Sequence, residues 1–535
     1  MLKRGIIILV LVATVALPFL LRPKQEDAAA ADDTVTIISP HNEAIRHEFT
    51  LRFRAWYKAK TGRTAFVDWR NVGGTSEITR YLEGEYVASF RNLWVNKRGK
   101  PWSAEIQAGF TNSRLPATAP AIVKEAHAAF LASPATSGID LFFGGGPYDF
   151  EKQQRVGHLV DSGIAERHPD WFTEANFPRS FSGDAVRGDL WYGAVMSSYG
   201  ILFNRDGLKR LGIEHDPAQW ADLTDPRFVG QLGLCDPTKS GSINAAFENV
   251  IQQQIHRRFD LLGPKASKTE VAAAVQAGWI EGLRLLQLIG ANARYFTDTS
   301  QKPPIDVAAG DCAAGMCIDF YGREQQEALH RRNPASDRLG YASPPGGSAY
   351  SVDPIALLRG APHREAAVAF IEYTLSLEGQ KLWNFRAGTP GGPRDFALRR
   401  LPVRRDFYAH PEWTTYRSDP DVNPYAQTDS LIYHDEWTGA LFGEIAFIVR
   451  VTTEDTHPEL VSAWRAIIAA PEPARSKALA VLQDLSAVDY DNTKGPVTKG
   501  LTSKNLVDAV SLARDLDAVF RANYQRAERI ALGSE

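Results

Sequence analysis

Residues 217–253 read PAQWADLTDPRFVGQLGLCDPTKSGSINAAFENVIQQ. Within them Gln231–Cys235 is a short apolar run, read as a strand. Asp236–Ser242 then supplies a turn of hydroxyls, proline and glycine, and a helix is expected from about Ile243. Strand, turn and helix in that order are the repeating unit of a parallel α/β sheet. In such sheets ligands gather beyond the carboxyl ends of the strands. The opening turn of the helix offers unpaired backbone N–H groups and the positive end of the helix dipole.

The same unit recurs upstream. Thr34–Ser39 reads as a buried strand, and Ile45, Phe49, Phe53 and Trp56 follow at helical spacing, with Gly62 placed to cap the helix. Thr64–Trp69 reads as a second strand. It is followed by NVGGTSEITRYLEG (71–84), a glycine-rich turn entering a helix. Residues 85–137 interrupt the rhythm and read as an insertion. The pattern returns at Ile139–Phe143, followed by the Gly144–Gly146 turn. Two apolar strands are expected around Met196–Ser198, a further strand and turn in AAGDCAAGMCIDFYGR (308–323), and a strand at Pro354–Leu358. A long helix with Ala367, Phe370, Ile371 and Leu375 on one face comes next. From about residue 400 the chain reads as mostly helical. Its final stripe is Leu506, Ala509, Ala513, Leu516, Phe520 and Tyr524, after a cap at Ser503.

The N-terminus carries Lys3 and Arg4, then an uncharged apolar stretch from Gly5 to Leu21, then alanines at 28–31. This is the pattern of an export signal, cleaved near Ala30 or retained as an anchor. Residues 1–33 are assigned to it. The rest is long enough for two or three domains. With 44% hydrophobic and 23% charged residues it has the composition of a globular protein. A net charge of -3 provides no global field for nucleic acid. There are three cysteines, Cys235, Cys312 and Cys317. The last two are close enough for a short-loop bridge in an oxidising compartment, the other reading being buried thiols. No spacing of Cys and His suggests zinc.

Three turns are candidate anion sites: Asn71–Ser76, Gly144–Gly146 and Asp236–Ser242. Glycine lets the backbone approach a carboxylate or phosphate, and hydroxyls add donors. None matches a phosphate-loop or dinucleotide fingerprint. His41 and Asn42 follow the first strand. Asp319, Tyr321 and Asp353 lie at other strand ends. No GxSxG or HExxH motif is present. The chain is read as not an enzyme, with an exported hydrolase as the alternative of another class, because a carboxylate pair can be joined by the fold alone.

These segments resemble the extracellular solute-binding proteins of ABC importers. The class is the type II periplasmic binding proteins, in the branch of ferric-ion and phosphorylated-compound binders. The resemblance rests on TVTIISPHNEAIRHEFTLRFRAWYKAKTG (34–62), WRNVGGTSEITRYL (69–82), GIDLFFGG (138–145), WYGAVMSSYGILFNRDGL (191–208), WADLTDPRFVGQLGLCDPTKSGS (220–242) and EAAVAFIEYTLSLEGQKLW (365–383). It implies an α/β, two-lobed fold with a helical C-terminal extension. Lobe one would be 34–196 plus 345–395, with 85–137 inserted. Lobe two would be 197–344, and the extension 396–535, packing on the first lobe or docking a partner. Met196–Ser198 and Tyr341–Gly347 would cross between lobes. The resemblance maps ligand contacts onto His41, Asn42, Gly74, Thr75, Ser76, Gly145, Ser197, Ser198, Ser240, Gly241, Ser242, Asp319, Tyr321 and Asp353. It implies a monomeric periplasmic receptor that hands a small anionic solute to an inner-membrane ABC permease, with no cofactor. Ferric-ion capture is the alternative in the same fold. The adjacent Tyr-Tyr pair typical of ferric binders is missing, although Tyr321 and Tyr350 remain as separated tyrosines.

Overall fold

A computed structural model describes residues 30–263, 265–503 and 505–535. Most of the expected signal or anchor lies outside these residues. Among the described residues no helix is long and apolar enough to cross a membrane.

Two sheets organise the chain. The first holds β1 (Asp33–Ile38), β2 (Ala65–Arg70), β3 (Leu141–Phe143), β4 (Leu159–Val160), β7 (Trp191–Ser197), β13 (Ser351–Leu358) and β14 (Leu401–Pro402), in the order β14-β7-β13-β3-β1-β2 with β4 beside β13. β5 (Ser180–Phe181) and β6 (Asp184–Ala185) form a separate hairpin. The second sheet holds β8 (Tyr199–Asn204), β9 (Leu232–Cys235), β10 (Ala293–Thr297), β11 (Ala314–Ile318) and β12 (Leu339–Ala342), in the order β10-β9-β11-β8-β12. β1 pairs in parallel with both β2 and β3, and β9 with both β10 and β11. The parallel strands are joined by covering helices, the arrangement expected of strand–helix repeats.

Each sheet has its own core. Phe49, Phe53, Phe143, Phe370 and Trp383 meet in the first, Trp220, Phe247, Ile251 and Trp279 in the second. The helix Glu43–Thr61 forms because Ile45, Phe49 and Phe53 share one buried face. Asn42 caps its start and Gly62, at φ 75°, ends it. The segment between 85 and 137 carries Phe90, Trp94, Phe110 and Phe130 into the first core as an aromatic cluster.

The chain passes from the first sheet to the second at Ser198, between β7 and β8, and returns between β12 and β13. It then crosses again. β14 adds an antiparallel edge to β7, and after it the chain runs over to the second lobe. Trp437, Leu441, Ile445, Leu460, Trp464, Phe520 and Tyr524 all join the second core. The distal helices thus pack on lobe two, not on lobe one, the first of the two expectations. Their apolar faces are complementary to the long helices Gly241–Phe259 and Lys268–Ala291, whose outer sides would otherwise face water. Trp279 and Gln287, for instance, donate to the carbonyls of Val488 and Leu482. The last helix starts at Leu506, one residue after an Asn505 cap, so the cap expected at Ser503 falls two residues early. Cys235, Cys312 and Cys317 are all free and buried, so the short-loop bridge is not formed.

Candidate functional site

A cavity of about 610 Å³ lies where the lobes and the extension meet. Lobe one contributes the Gly145–Asp149 turn, the β5–β6 hairpin around Asp184, Ser197 and Ser351–Asp353. Lobe two contributes Tyr199 and the opening turns of the Gly241–Phe259 helix, from Gly241 to Asn249. The extension closes the remaining side with Tyr433, Asp435, Gly439, Ala440 and Phe442.

The lobes touch beside this cavity. Gly74 lies so close to the carbonyl of Lys239 that a Cβ there would collide with it, and Lys239 forms a 3.8 Å ion pair with Glu77. The turns Asn71–Ser76 and Asp236–Ser242 therefore meet across the cleft. Thr75, buried at the start of its helix, packs under Gly145, where an added Cβ would come within 2.6 Å of the Thr75 methyl. Gly145 at φ 117° holds a conformation open to glycine.

Of the residues expected from sequence, Gly145, Ser197, Gly241, Ser242 and Asp353 line the cavity. Ser240 caps the adjoining helix through Ile243 N–H. His41 lies behind the wall. Its Nε2 is 3.1 Å from Asp353 Oδ2, and its ring stands edge-on to Phe143. Gly74 holds the contact between lobes and Thr75 packs under Gly145, with Ser76 next to them on the helix. The remaining four sit elsewhere. Asn42 caps its helix and faces a smaller groove with Phe320 and Arg331. Ser198 marks the crossover, and its carbonyl accepts from Asp319 N–H. Asp319 is buried in an ion pair with Arg323. Tyr321 packs on the second core. Tyr350, outside the cavity, donates to Gln427.

Sequence reasoning did not single out Arg400. This arginine, 1% exposed at its side chain, donates to Asp353 Oδ2 at 2.5 Å and to Ser197 Oγ, and stacks over Phe320. Burial opposes ionisation of Asp353, but Arg400 and the His41 hydrogen bond outweigh it and hold the carboxyl down at about 2. Burial lowers the His41 pKa against the pull of Asp353, favouring the neutral ring. The wall is therefore a fixed, neutralised triad of His41, Asp353 and Arg400.

The rest of the cavity wall carries several acids. Burial raises Glu248 to about 7, against hydrogen bonds from Thr438 and Tyr433, and Asp184 and Asp435 add repulsion. Burial likewise raises Asp184 to about 7, with Glu151 and Asp435 reinforcing it. Asp149 rises to about 6 through burial, despite Lys152 and Thr79. Three arginines, Arg114, Arg155 and Arg179, are exposed at the rim. These acidic and basic residues lie in segments that read as ordinary turns and helix faces, so no local pattern marks them.

One possible metal cluster among the described residues is His47, Glu48 and Asp395, away from the cavity. Both Glu48 oxygens are already used by the backbone N–H groups of Arg394, Asp395 and Phe396. The cluster fits a staple for that turn rather than a cation site.

Residues 139–402 match the family model described as bacterial extracellular solute-binding protein. An uncharacterized protein of Haemophilus influenzae is 26% identical over 243 residues, which is 45% of this chain and 60% of that protein. The phosphoglycerate transport regulatory protein PgtC of Salmonella typhimurium is 26% identical over 205 residues, 38% of this chain and 42% of that protein. The chain thus spans less than two thirds of the length of these curated relatives. Among solved structures, the periplasmic binding protein AfuA of Actinobacillus pleuropneumoniae with fructose-6-phosphate gives a TM-score of 0.47 at 16% identity, covering 81% of this chain and 98% of that one. The apo ferric ion-binding protein A of Pasteurella haemolytica gives 0.46 at 12% identity, covering 78% and 98%.

Proposed function

With residues 139–402 matching the family model of bacterial extracellular solute-binding proteins, we propose that this chain is the extracytoplasmic receptor of an ABC importer. It captures a small anionic solute between its lobes and delivers it to a permease in the inner membrane. The observation that carries this reading is the cavity shared by two separately cored lobes, with the crossovers beside it at Ser198 and before β13. Such an arrangement suits capture by hinge closure.

The solute's negative charge has two sources of attraction. The N-terminus of the Gly241–Phe259 helix presents Gly241 and Ser242 to the cavity, with Asp149 Oδ2 beside Gly241, a carboxyl whose ionisation burial opposes. Arg114, Arg155 and Arg179, exposed in the lining beside the exposed Glu151 and Asp435, add positive charge that attracts an incoming anion. The chain acts in the periplasm, exported or held at the membrane by residues 1–33, as a monomer and without a cofactor. The boundaries 34–196 plus 345–395, 197–344 and 396–535 serve as its working lobes and extension. Ferric-ion capture is less favoured: Tyr321 and Tyr350 lie outside the cavity, and burial opposes ionisation of Tyr148, Tyr199 and Tyr433, which line it.

A thermal-shift panel of sugar phosphates, phosphonates, polyamines and Fe(III) tests the proposal. A ligand at a hundredfold excess over its Kd should stabilise the protein by about 2.7 kcal/mol. A flat response to every member would overturn it.

A further inference from the structure

The cavity is better supplied with acceptors than an anionic solute alone requires. Glu151, Asp184, Glu248 and Asp435 all line it. Asp184 and Glu248 repel each other, and Asp435 bears on both. No cation is among the groups acting most strongly on either of them. Their partners are neutral donors: Ala185 N–H for Asp184, and Tyr433 and Thr438 hydroxyls for Glu248. Buried carboxylates without a positive partner are costly when ionised.

A second, independent observation lies on the next residue of the same helix. Asn249 lines the cavity, is 3% exposed, and its Nδ2 has no hydrogen-bond partner. A carboxamide N–H donates to an oxygen. Glu248 and Asn249 therefore offer one acceptor and one unpaired donor side by side on the cavity wall.

We infer that the captured solute carries a protonated amine as well as its anionic group, the amine seated between Glu248 and Asp184 and a neighbouring solute oxygen taken by Asn249. The inference rests on the receptor reading above. An ammonium has three N–H donors and no acceptor, which suits Glu248 and Asp184, whose hydrogen-bond partners are neutral. The anionic end then lies toward Gly241, Ser242 and the rim arginines. The extension is part of this specificity, because Tyr433 and Thr438 orient the Glu248 carboxylate.

Calorimetric titration of the full chain tests this with three probes. O-phosphoethanolamine and glycerol 1-phosphate share a phosphate and differ in the ammonium; 1,3-diaminopropane has amines and no acid. Phosphoethanolamine should bind at least tenfold tighter than glycerol phosphate. Glu248→Gln should abolish that preference while circular dichroism stays unchanged, and Asp184→Asn reads the same property if the first variant does not fold. Equal binding of the two phosphates overturns the inference and leaves the receptor reading intact. Binding of the diamine alone supports the amine site and overturns the anionic half of the proposed function. Failure of both amine probes to bind overturns the inference.

Discussion

The backbone N–H of Tyr433 donates to the carbonyl of Ser182 across 2.7 Å. Ser182 belongs to the hairpin turn of lobe one, while the Tyr433 hydroxyl donates to Glu248 of lobe two at 3.0 Å. One residue of the extension therefore spans both lobes. Neighbouring contacts extend the strap: His434 N–H donates to Gln252 Oε1, and Gly346 and Leu431 N–H groups bond the carbonyls of Asp429 and Ser348. Two crossover segments alone would leave the lobes free to hinge. The strap adds a third tie at the mouth of the cavity.

Gly183 is the weak point of that tie. It adopts φ 84°, and a Cβ there would collide with the carbonyl of Tyr433. Gly183→Ala should therefore detach the strap from lobe one. The expected outcome is a loss of about 1–3 kcal/mol in urea unfolding. The radius of gyration by small-angle scattering should also increase as the cleft opens. An unchanged radius would mean that the strap does not hold the lobes.

The pair Arg400 and Asp353 gives a different expectation. Removing one member of a buried ion pair leaves the other charge uncompensated, at a cost of roughly 3–5 kcal/mol. Asp353 faces the cavity and keeps some contact with water, so Arg400→Met should cost about 3 kcal/mol. The double variant Arg400→Met with Asp353→Asn should recover part of the loss, because no isolated charge remains. The cycle is read from chemical denaturation at neutral pH. The same pair stabilises through a carboxyl held at about 2, below its ordinary value of 3.8. Its contribution is present above that ordinary value and is lost as pH falls through 2.

Much of the framework could be read locally. Gln231–Cys235 contains the observed β9, and Gly62 ends its helix, because apolar runs and left-handed glycines carry their meaning within a few residues. The strand ends and their glycine turns were legible for the same reason, which is why Gly145, Gly241 and Ser242, which line the cavity, could be singled out. Glu248 could not be recognised. It sits in the helix pattern NAAFENVIQQ as an ordinary polar position, and its partners Tyr433 and Thr438 lie far along the chain. Arg400 stands in a run of basic residues, and nothing local distinguishes the one that turns inward. The packing of the extension was hidden too, since an amphipathic helix shows that it has an apolar face without showing which surface covers it.

The thiols offer a chemical check. Cys235, Cys312 and Cys317 are buried, and burial raises each above the ordinary thiol range, Cys235 to about 12. A thiol must ionise and be reached by reagent to react. A disulfide-exchange dye should titrate none of them rapidly in the native protein and all three after unfolding in denaturant without reductant. Recovery of only one thiol in the unfolded chain would reveal a bridge.

The acidic cavity makes the ligand-free protein sensitive to pH in the direction opposite to Asp353. Glu248 and Asp184 bind protons more tightly when folded, near 7, than in the unfolded chain, near their ordinary values of 4.5 and 3.8. Between those values and 7 the native state holds protons that the unfolded state has released. Stability therefore falls as pH rises through this window and levels off above it. Each group accounts for a fall on the order of 3–4 kcal/mol before water in the cavity reduces the effect. The groups facing Glu248 are Tyr433, Thr438, Asp184 and Asp435, so the two carboxylates should titrate as a coupled pair. Urea midpoints measured from pH 4.5 to 8 should decline, and Glu248→Gln should flatten the curve while raising stability at pH 8. A midpoint that rises across the same range would show that these carboxylates are ionised in the folded protein.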